Sequence, residues 1–115
     1  MLRGEVRLVD LEPVRGSEAS KRRPAVVVSN DRANGVAVRL GRGLVTVVPV
    51  TSNTDTVYSF QVLLPAGLSG LKVDSKAQAE QVRSVAVERL GPVLGRLPRA
   101  VLQEIDEALR LHLGL

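Results

Sequence analysis

The sequence predicts a small, strongly curved β-sheet or barrel decorated by helix, with the clearest helix at the C-terminal end. Two observations carry this prediction: short apolar, β-branched segments alternate with turn-forming residues, and only the last segment has an evident helical period. Hydrophobic residues make up 44% and charged residues 24% of the 115 residues, an ordinary globular composition. We therefore expect one domain over residues 1–115, mainly β with short helices (α+β).

The first two strands are predicted on either side of a polar loop. Apolar and charged residues mix from Glu5 to Leu11, which predicts a first strand that ends before Pro13. Pro24 has no N–H to donate, so it belongs at the first residue or the edge of a strand. The run from Ala25 to Ser29 then predicts a strand buried on both faces.

The middle of the chain mixes one ambiguous segment with one clear strand. Turn-forming residues occur between Asp31 and Gly43, while Val36–Leu40 fits either a strand or a short helix, so both alternatives stay open. The β-branched run from Leu44 to Val50 predicts a central strand. The polar residues of Thr51–Asp55 are expected to end it in a turn.

The second half predicts further short strands before the final helix. Alternation from Tyr58 to Leu64 favours one strand, and residues Val73 to Val87 favour one or two more. Pro92 and Gly95 are expected to break the chain again.

The final element is predicted to be a helix that packs on the sheet. Pro98 suits a first helical turn, and apolar positions recur after it at steps of three and four residues. The predicted stripe consists of Val101, Leu102, Ile105, Ala108, Leu109 and His112. Because a lone histidine on an apolar stripe usually serves packing, we expect a structural role for His112.

The composition removes several classes of chemistry. With no cysteine and one histidine, the chain has no disulfide framework, thiol nucleophile or histidine pair, and a cytoplasmic location is the simplest expectation. Carboxylates are scattered, and the glycine-rich nucleotide motifs are missing, so no metal and no cofactor are expected. No apolar run reaches the length of a membrane span, and the N-terminus has no export-signal pattern.

Positive charge favours a polyanionic partner. The net charge is +4 with a pI near 10.3, and Arg22 and Arg23 stand where a polar loop turns into a buried strand. Guanidinium groups match phosphate oxygens two at a time, so this is a suitable phosphate site. The alternative is a solvated basic pair beside a strand.

Aromatic residues are only 2% of the chain, namely Tyr58 and Phe60. Two rings are too few for the usual base-stacking platform of single-strand-binding proteins. RNA would have to be held by hydrogen bonds and by arginine contacts to phosphates and base edges.

An ordered set of motifs resembles one family along nearly the whole chain. The motifs are Gly4-Glu5-Val6, Val9-Asp10-Leu11-Glu12-Pro13, Gly16-Ser17-Glu18, Arg23-Pro24-Ala25-Val26-Val27-Val28-Ser29, Val48-Pro49-Val50-Thr51-Ser52 and Gln81-Val82-Arg83-Ser84-Val85. In this order and spacing the chain resembles the MazF/PemK toxins of bacterial toxin–antitoxin modules. The resemblance implies a compact SH3-like β-barrel of the CcdB/MazF type, a homodimer, and metal-independent, sequence-specific cleavage of single-stranded RNA.

The resemblance also implies roles for individual residues. Arg23 and Thr51 match the residues that act in catalysis. Substrate-binding roles fall on Ser17 and Glu18 in the loop that gates the RNA groove, on Ser52, and on Gln81, Arg83 and Ser84 at the opposite wall. Taken by themselves, Thr51 could be a strand cap, Glu18 a loop charge, and Gln81, Arg83 and Ser84 part of a dimer interface, because alternation separates Ser84 from the other two.

A toxin of this kind implies a neutralising partner. We expect an acidic, partly disordered MazE-like antitoxin that covers the basic groove. Two other functions remain open: a CcdB-like toxin that acts on a protein target such as gyrase, and a non-catalytic RNA-binding barrel. The chain ends His112-Leu113-Gly114-Leu115 without the Trp-Gly-Ile ending of the CcdB toxins.

Overall fold

A computed structural model describes residues 1–11 and 22–115 of the chain. Seven strands and two α-helices follow one another in this part. They are β1 (Glu5–Asp10), β2 (Arg22–Val27), α1 (Asp31–Leu40), β3 (Leu44–Thr51), β4 (Gln61–Leu64), β5 (Ser75–Gln78), β6 (Arg83–Ala86), β7 (Leu90–Arg96) and α2 (Arg99–Leu113). Two short 3₁₀ turns flank β6, at Ala79–Gln81 and Val87–Arg89. The predicted mainly β architecture with a C-terminal helix is confirmed.

The strands pair antiparallel in the order β4-β5-β3-β2-β1-β7, and β6 also pairs with β3. Strand β3 is the centre of this arrangement. Its first half, Leu44–Val47, pairs with β6, whereas Val50 and Thr51 pair with β5. Strand β3 therefore pairs with two short strands, β6 and β5, along the same edge, and the sheet divides there.

Both faces of the central strands are buried, as the run from Ala25 predicted. Side chains alternate along a strand, so Val26 enters one core cluster while Ala25 and Val27 enter another. The first cluster lies under α2 and includes Ile105 and Ala108. These valine-rich strands form a rigid base, and their polar ends lie at its rim.

The ambiguous segment after β2 is a helix, because its turn-forming residues act as caps. The Asn30 side chain accepts a hydrogen bond from the Ala33 N–H at 2.8 Å, and Gly41 ends α1 in the left-handed conformation at φ 66°. Within α1, the buried Asn34 donates to the Ser29 carbonyl at 2.8 Å. This bond anchors the helix beside the end of β2.

Three expectations for the second half need correction. The strand predicted from Tyr58 begins only at Gln61, because the Gln61 N–H closes a turn on the Tyr58 carbonyl at 2.9 Å. Pro92 and Gly95 do not break the chain but lie inside β7. Proline is tolerated there because β7 is the last strand of the sheet and needs partners on one side only.

Gly95 has a packing reason to be in a strand. A Cβ at this position would lie 2.6 Å from the Ser69 carbonyl oxygen, so only glycine allows β7 to approach this closely. The glycine marks a close backbone contact rather than a chain break.

Helix α2 confirms the predicted stripe except at its end. Ile105 and Ala108 are buried, and Val101, Leu102 and Leu109 are half-buried, but His112 is exposed. All residues from Arg110 to Leu113 at the end of α2 are exposed, so the packing role expected for His112 is wrong. Among the described residues, no helix is both long and apolar enough to cross a membrane.

Candidate nucleic-acid interface

The register of β2 and β3 brings two predicted site residues to the same end of the sheet. Ala25 pairs with Pro49, and beyond this pair each strand continues by at least two residues, to Arg23 in β2 and to Thr51 in β3. Because the strands are antiparallel, the start of one and the end of the other lie side by side. Arg23 and Thr51 are thus separated by 27 residues in the sequence but lie side by side in the sheet.

Alternation also assigns these residues to one face. Arg23 shares its face with Ala25 and Val27, and Thr51 shares its face with Val47. Val47 and Val27 are paired and belong to the same buried cluster, so Arg23 and Thr51 extend a common apolar floor. The site has a rigid base of valines and a polar rim.

Arg83 joins this face from the other side of β3. Val47 pairs with Val27 in β2 and with Arg83 in β6, and directly paired residues point to the same side of a sheet. Arg83 is exposed. Two guanidinium groups therefore lie on one face on either side of β3, that of Arg23 level with Thr51 at the end of the strand and that of Arg83 level with Val47 in its middle.

The adjacent arginines Arg22 and Arg23 are not equivalent. Alternation directs Arg22 to the opposite face, and a Cβ built on Gly91 would lie 3.2 Å from a guanidinium nitrogen of Arg22. Arg22 therefore lies against β7. Within residues 1–11 and 22–115, no carboxylate lies within 4.0 Å of the Arg23 guanidinium.

Thr51 is half-buried at the end of β3, and its hydroxyl is held in place. The Asn53 N–H donates to Thr51 Oγ1 at 3.2 Å, and the Asp55 N–H donates to Asn53 Oδ1 at 3.2 Å. These are the local side-chain turns that polar residues form after a strand. Since Oγ1 accepts from the backbone, its own proton is free to be donated outward. Ser52 is exposed beside it.

The remaining predicted residues are only partly brought together. Gln81 is exposed at the end of the 3₁₀ turn before β6, so strand alternation does not extend to it. Ser84 is exposed and pairs with Thr46, on the face opposite to Arg83. Ser17 and Glu18 lie outside the described residues.

Sequence reasoning missed a group at the same end of β3. Thr51 pairs with Lys76 of β5, and the Lys76 ammonium donates to the Thr56 carbonyl at 2.5 Å. The same nitrogen lies 5.8 Å from the centre of the Tyr58 ring, which stacks on Phe60 with ring centres 5.3 Å apart. The available signal was the spacing of Tyr58 and Phe60, which lie two residues apart between β3 and β4.

Comparison with known proteins gives consistent matches along the chain. The profile described as "PemK-like, MazF-like toxin of type II toxin-antitoxin system" matches residues 2–113. The chain is 65% identical over 115 residues to "Endoribonuclease MazF9" of Mycobacterium tuberculosis, which covers 100% of this chain and 98% of that protein. It is 32% identical to "Endoribonuclease MazF" of Staphylococcus epidermidis, with 98% and 91% of the two chains covered.

Solved structures share the fold. A MazE–MazF crystal structure (form II) from Deinococcus radiodurans superposes with a TM-score of 0.80 at 33% identity and covers 100% of this chain and 96% of that chain. An endoribonuclease in complex with its cognate antitoxin, from a mycobacterial species, gives a TM-score of 0.77 at 26% identity, with 100% and 96% covered.

Proposed function

The chain belongs to the PemK-like, MazF-like toxin family of type II toxin–antitoxin systems, and we propose that Arg23 and Thr51 form the centre at which it cleaves single-stranded RNA. It is an endoribonuclease toxin of the MazF type. The observation that carries the catalytic assignment is the β2–β3 register, which brings the start of β2 and the end of β3 together on one face.

In RNA cleavage, the role proposed for Arg23 is to stabilise negative charge rather than to accept a proton. When a ribose 2′-hydroxyl attacks the adjacent phosphorus, it gives up its proton, the bond to the 5′-oxygen breaks, and that oxygen takes up a proton. The products therefore carry a cyclic phosphate and a 5′-hydroxyl. Negative charge develops on the phosphoryl oxygens and on the departing oxygen. The Arg23 guanidinium is a planar, positively charged donor, so it acts as a fixed positive clamp on these oxygens without a metal.

Thr51 supplies a neutral hydrogen-bond donor to the same phosphate. Its Oγ1 accepts the Asn53 N–H, which leaves the hydroxyl proton to point toward a phosphate oxygen. A donor fixed before the reaction stabilises developing charge without reorganisation. Arg83, on the same face, is suited to a neighbouring phosphate of the strand.

The other substrate contacts are proposed from the family. Ser52 and Gln81 are exposed near the ends of β3 and the 3₁₀ turn, where hydrogen bonds to bases are accessible. Ser17, Glu18 and Ser84 are proposed as further substrate contacts on the family pattern alone. Ser84 lies on the face opposite to Arg83 and does not share the surface of Arg23 and Thr51.

The proposal is tested with the neighbouring arginines as a matched pair. Purified protein is incubated with long single-stranded RNA in the presence and in the absence of EDTA, and new ends are mapped for wild type, Arg23→Ala and Arg22→Ala. We expect discrete cuts that fall by about 10²–10³ or more in Arg23→Ala, because one transition-state donor is lost. Arg22→Ala should cut at the same positions at near wild-type rate, since its guanidinium lies against Gly91.

Equal activity of the two variants would refute the catalytic role of Arg23. Intact RNA with folded wild-type protein would instead favour a protein-directed toxin or a passive RNA binder. Loss of cleavage only when EDTA is added would contradict a metal-independent reaction.

We also propose a homodimer, a cytoplasmic location and an acidic, partly disordered antitoxin. Solved relatives are described as MazE–MazF structures and as a complex with a cognate antitoxin. A partner of negative charge would be attracted by the exposed Arg23 and Arg83 and would compete with RNA for them. Sedimentation of the purified chain alone measures the homodimer, and a monomer would contradict it. Sedimentation with the acidic product of the neighbouring reading frame measures the antitoxin complex, and two independent species would contradict that complex.

A further inference from the structure

The two aromatic residues of this chain are gathered at one place. Tyr58 and Phe60 are its only Phe, Tyr or Trp residues, and their rings stack with centres 5.3 Å apart and planes 7° from parallel. Parallel stacking of this kind is the geometry in which unpaired bases are also bound by proteins. Composition alone argued against a stacking platform, but the fold concentrates both rings in the loop that follows Thr51.

The ring pair is tied to the end of β3 by a buried lysine. Lys76 pairs with Thr51 across the strands, and its ammonium donates to the Thr56 carbonyl and lies 5.8 Å from the Tyr58 ring centre. Only 7% of Lys76 is exposed, so its charge is directed at the loop rather than at a phosphate. A buried ammonium is costly unless it is satisfied by an acceptor and a ring face.

The loop carrying the rings is also ordered by its own hydrogen bonds. The Tyr58 N–H donates to Gln61 Oε1 at 3.1 Å, and the Gln61 amide donates to Glu80 at 2.9–3.0 Å. Despite these contacts, 54% of Tyr58 remains exposed. A rigidly held and exposed ring binds a ligand with little loss of conformational freedom.

We propose that an unpaired base of the RNA substrate packs on the exposed part of the Tyr58–Phe60 pair, so that Tyr58 forms a base subsite beside the phosphate held at Thr51. This inference rests on the proposed function. Stacking accepts any base, so the subsite supplies affinity and fixes the position of one nucleotide, while hydrogen-bonding groups such as Gln81 select its identity. Lys76 is a positioning residue that holds the loop.

The test measures binding rather than cleavage. RNA spanning the mapped wild-type cut site carries a 2′-deoxy nucleotide at the attacking position, so that it binds without being cut. Affinities of wild type, Tyr58→Ala and Tyr58→Phe are compared on this RNA and on versions with one base at a time removed to leave an abasic sugar. Val57→Ala, an exposed apolar neighbour, serves as the matched control.

We expect Tyr58→Ala to weaken binding about 5- to 100-fold, and to have no further effect when one particular base is already missing. Tyr58→Phe should keep this position-specific coupling, and Val57→Ala should show none. If Tyr58→Ala lowers the affinity by the same factor on every abasic RNA, the subsite is refuted. Equal losses of affinity in Tyr58→Phe and Tyr58→Ala would refute it as well.

The two proposals fail in different ways. If Arg23→Ala cuts like wild type, the catalytic assignment falls, while the binding cycle at Tyr58 still gives its own result. If wild type neither cuts nor binds single-stranded RNA, both are refuted. Urea unfolding of each variant checks that Tyr58→Ala, a change at an exposed residue, leaves the fold intact.

Discussion

At the scale of single residues, the site depends on which way neighbouring side chains point. Arg22 and Arg23 are chemically identical and adjacent, so local composition places a phosphate site at the pair, and only the family resemblance singles out Arg23 in the sequence. Register separates them: one continues the face of Ala25 and Val27, and the other lies against Gly91. A single-residue slip of β2 would exchange them.

The hydroxyl of Thr51 is open to an equally specific prediction. Thr51→Val keeps the branched shape but removes the donor, and Thr51→Ser keeps the donor. We expect the cleavage rate to fall by about 10²–10³ in Thr51→Val and to be largely kept in Thr51→Ser, because the transition state requires the hydroxyl. Single-turnover cleavage of the mapped RNA site measures this difference.

A Thr51→Val rate within tenfold of wild type would show that Thr51 only ends the strand. The Asn53 N–H also loses its acceptor in this variant, so thermal unfolding is compared in parallel. A shift in stability without a rate loss supports the structural role, and the reverse supports catalysis.

At the scale of elements, local signals predicted what was local. The caps at Asn30 and Gly41 are strong helix boundaries once the helix is known, but the residues between them fit either structure in sequence. The chain break predicted at Pro92 and Gly95 was wrong because long-range contacts decide their structure. Pro92 is tolerated on an edge strand, and Gly95 allows a close approach to Ser69. Strand pairing across the sheet, which creates the site, is likewise not encoded in any short window.

Elements at the far end of β2 are joined by Arg3. Its backbone N–H donates to Asp31 at 2.6 Å, its Nε donates to the Val28 carbonyl at 2.7 Å, and its guanidinium pairs with Asp106 of α2. One residue thus connects the N-terminus, the end of β2, the start of α1 and helix α2. This cluster lies at the end of β2 remote from Arg23.

We expect Arg3→Ala to lower the free energy of unfolding by about 1.5–3 kcal/mol, since hydrogen bonds of a charged, partly buried group are lost. Urea unfolding measures this change, and the positions of RNA cleavage should stay the same. Arg110→Ala is the control, because its ion pair with Glu107 is solvent-exposed and worth far less. A loss no larger than that of Arg110→Ala would contradict the linking role of Arg3.

At the scale of the whole molecule, the net charge of +4 says only that a polyanion is favoured. The fold shows which arginines have carboxylate partners and which lie on the proposed RNA-binding face. Arg23 and Arg83 flank β3 on one face, whereas Arg3, Arg7 and Arg110 have carboxylate partners within the chain. On this face the proposed RNA path uses Arg23 and Arg83, and the contribution of each should be measurable separately.

The salt dependence of RNA binding tests this distribution of charge. Binding of the uncleavable RNA weakens with salt, because each contacted phosphate releases counterions, with a slope of about 0.7 per contact in a plot of log K against log salt. Arg23→Ala and Arg83→Ala should each reduce the slope by about 0.7, and the double variant by about 1.4. Arg110→Ala should leave it unchanged, since that arginine is on α2 and is paired with Glu107. Equal slopes in the wild type and all four variants would mean that RNA binds elsewhere on the basic surface, and the face built around Thr51 would lose its assignment.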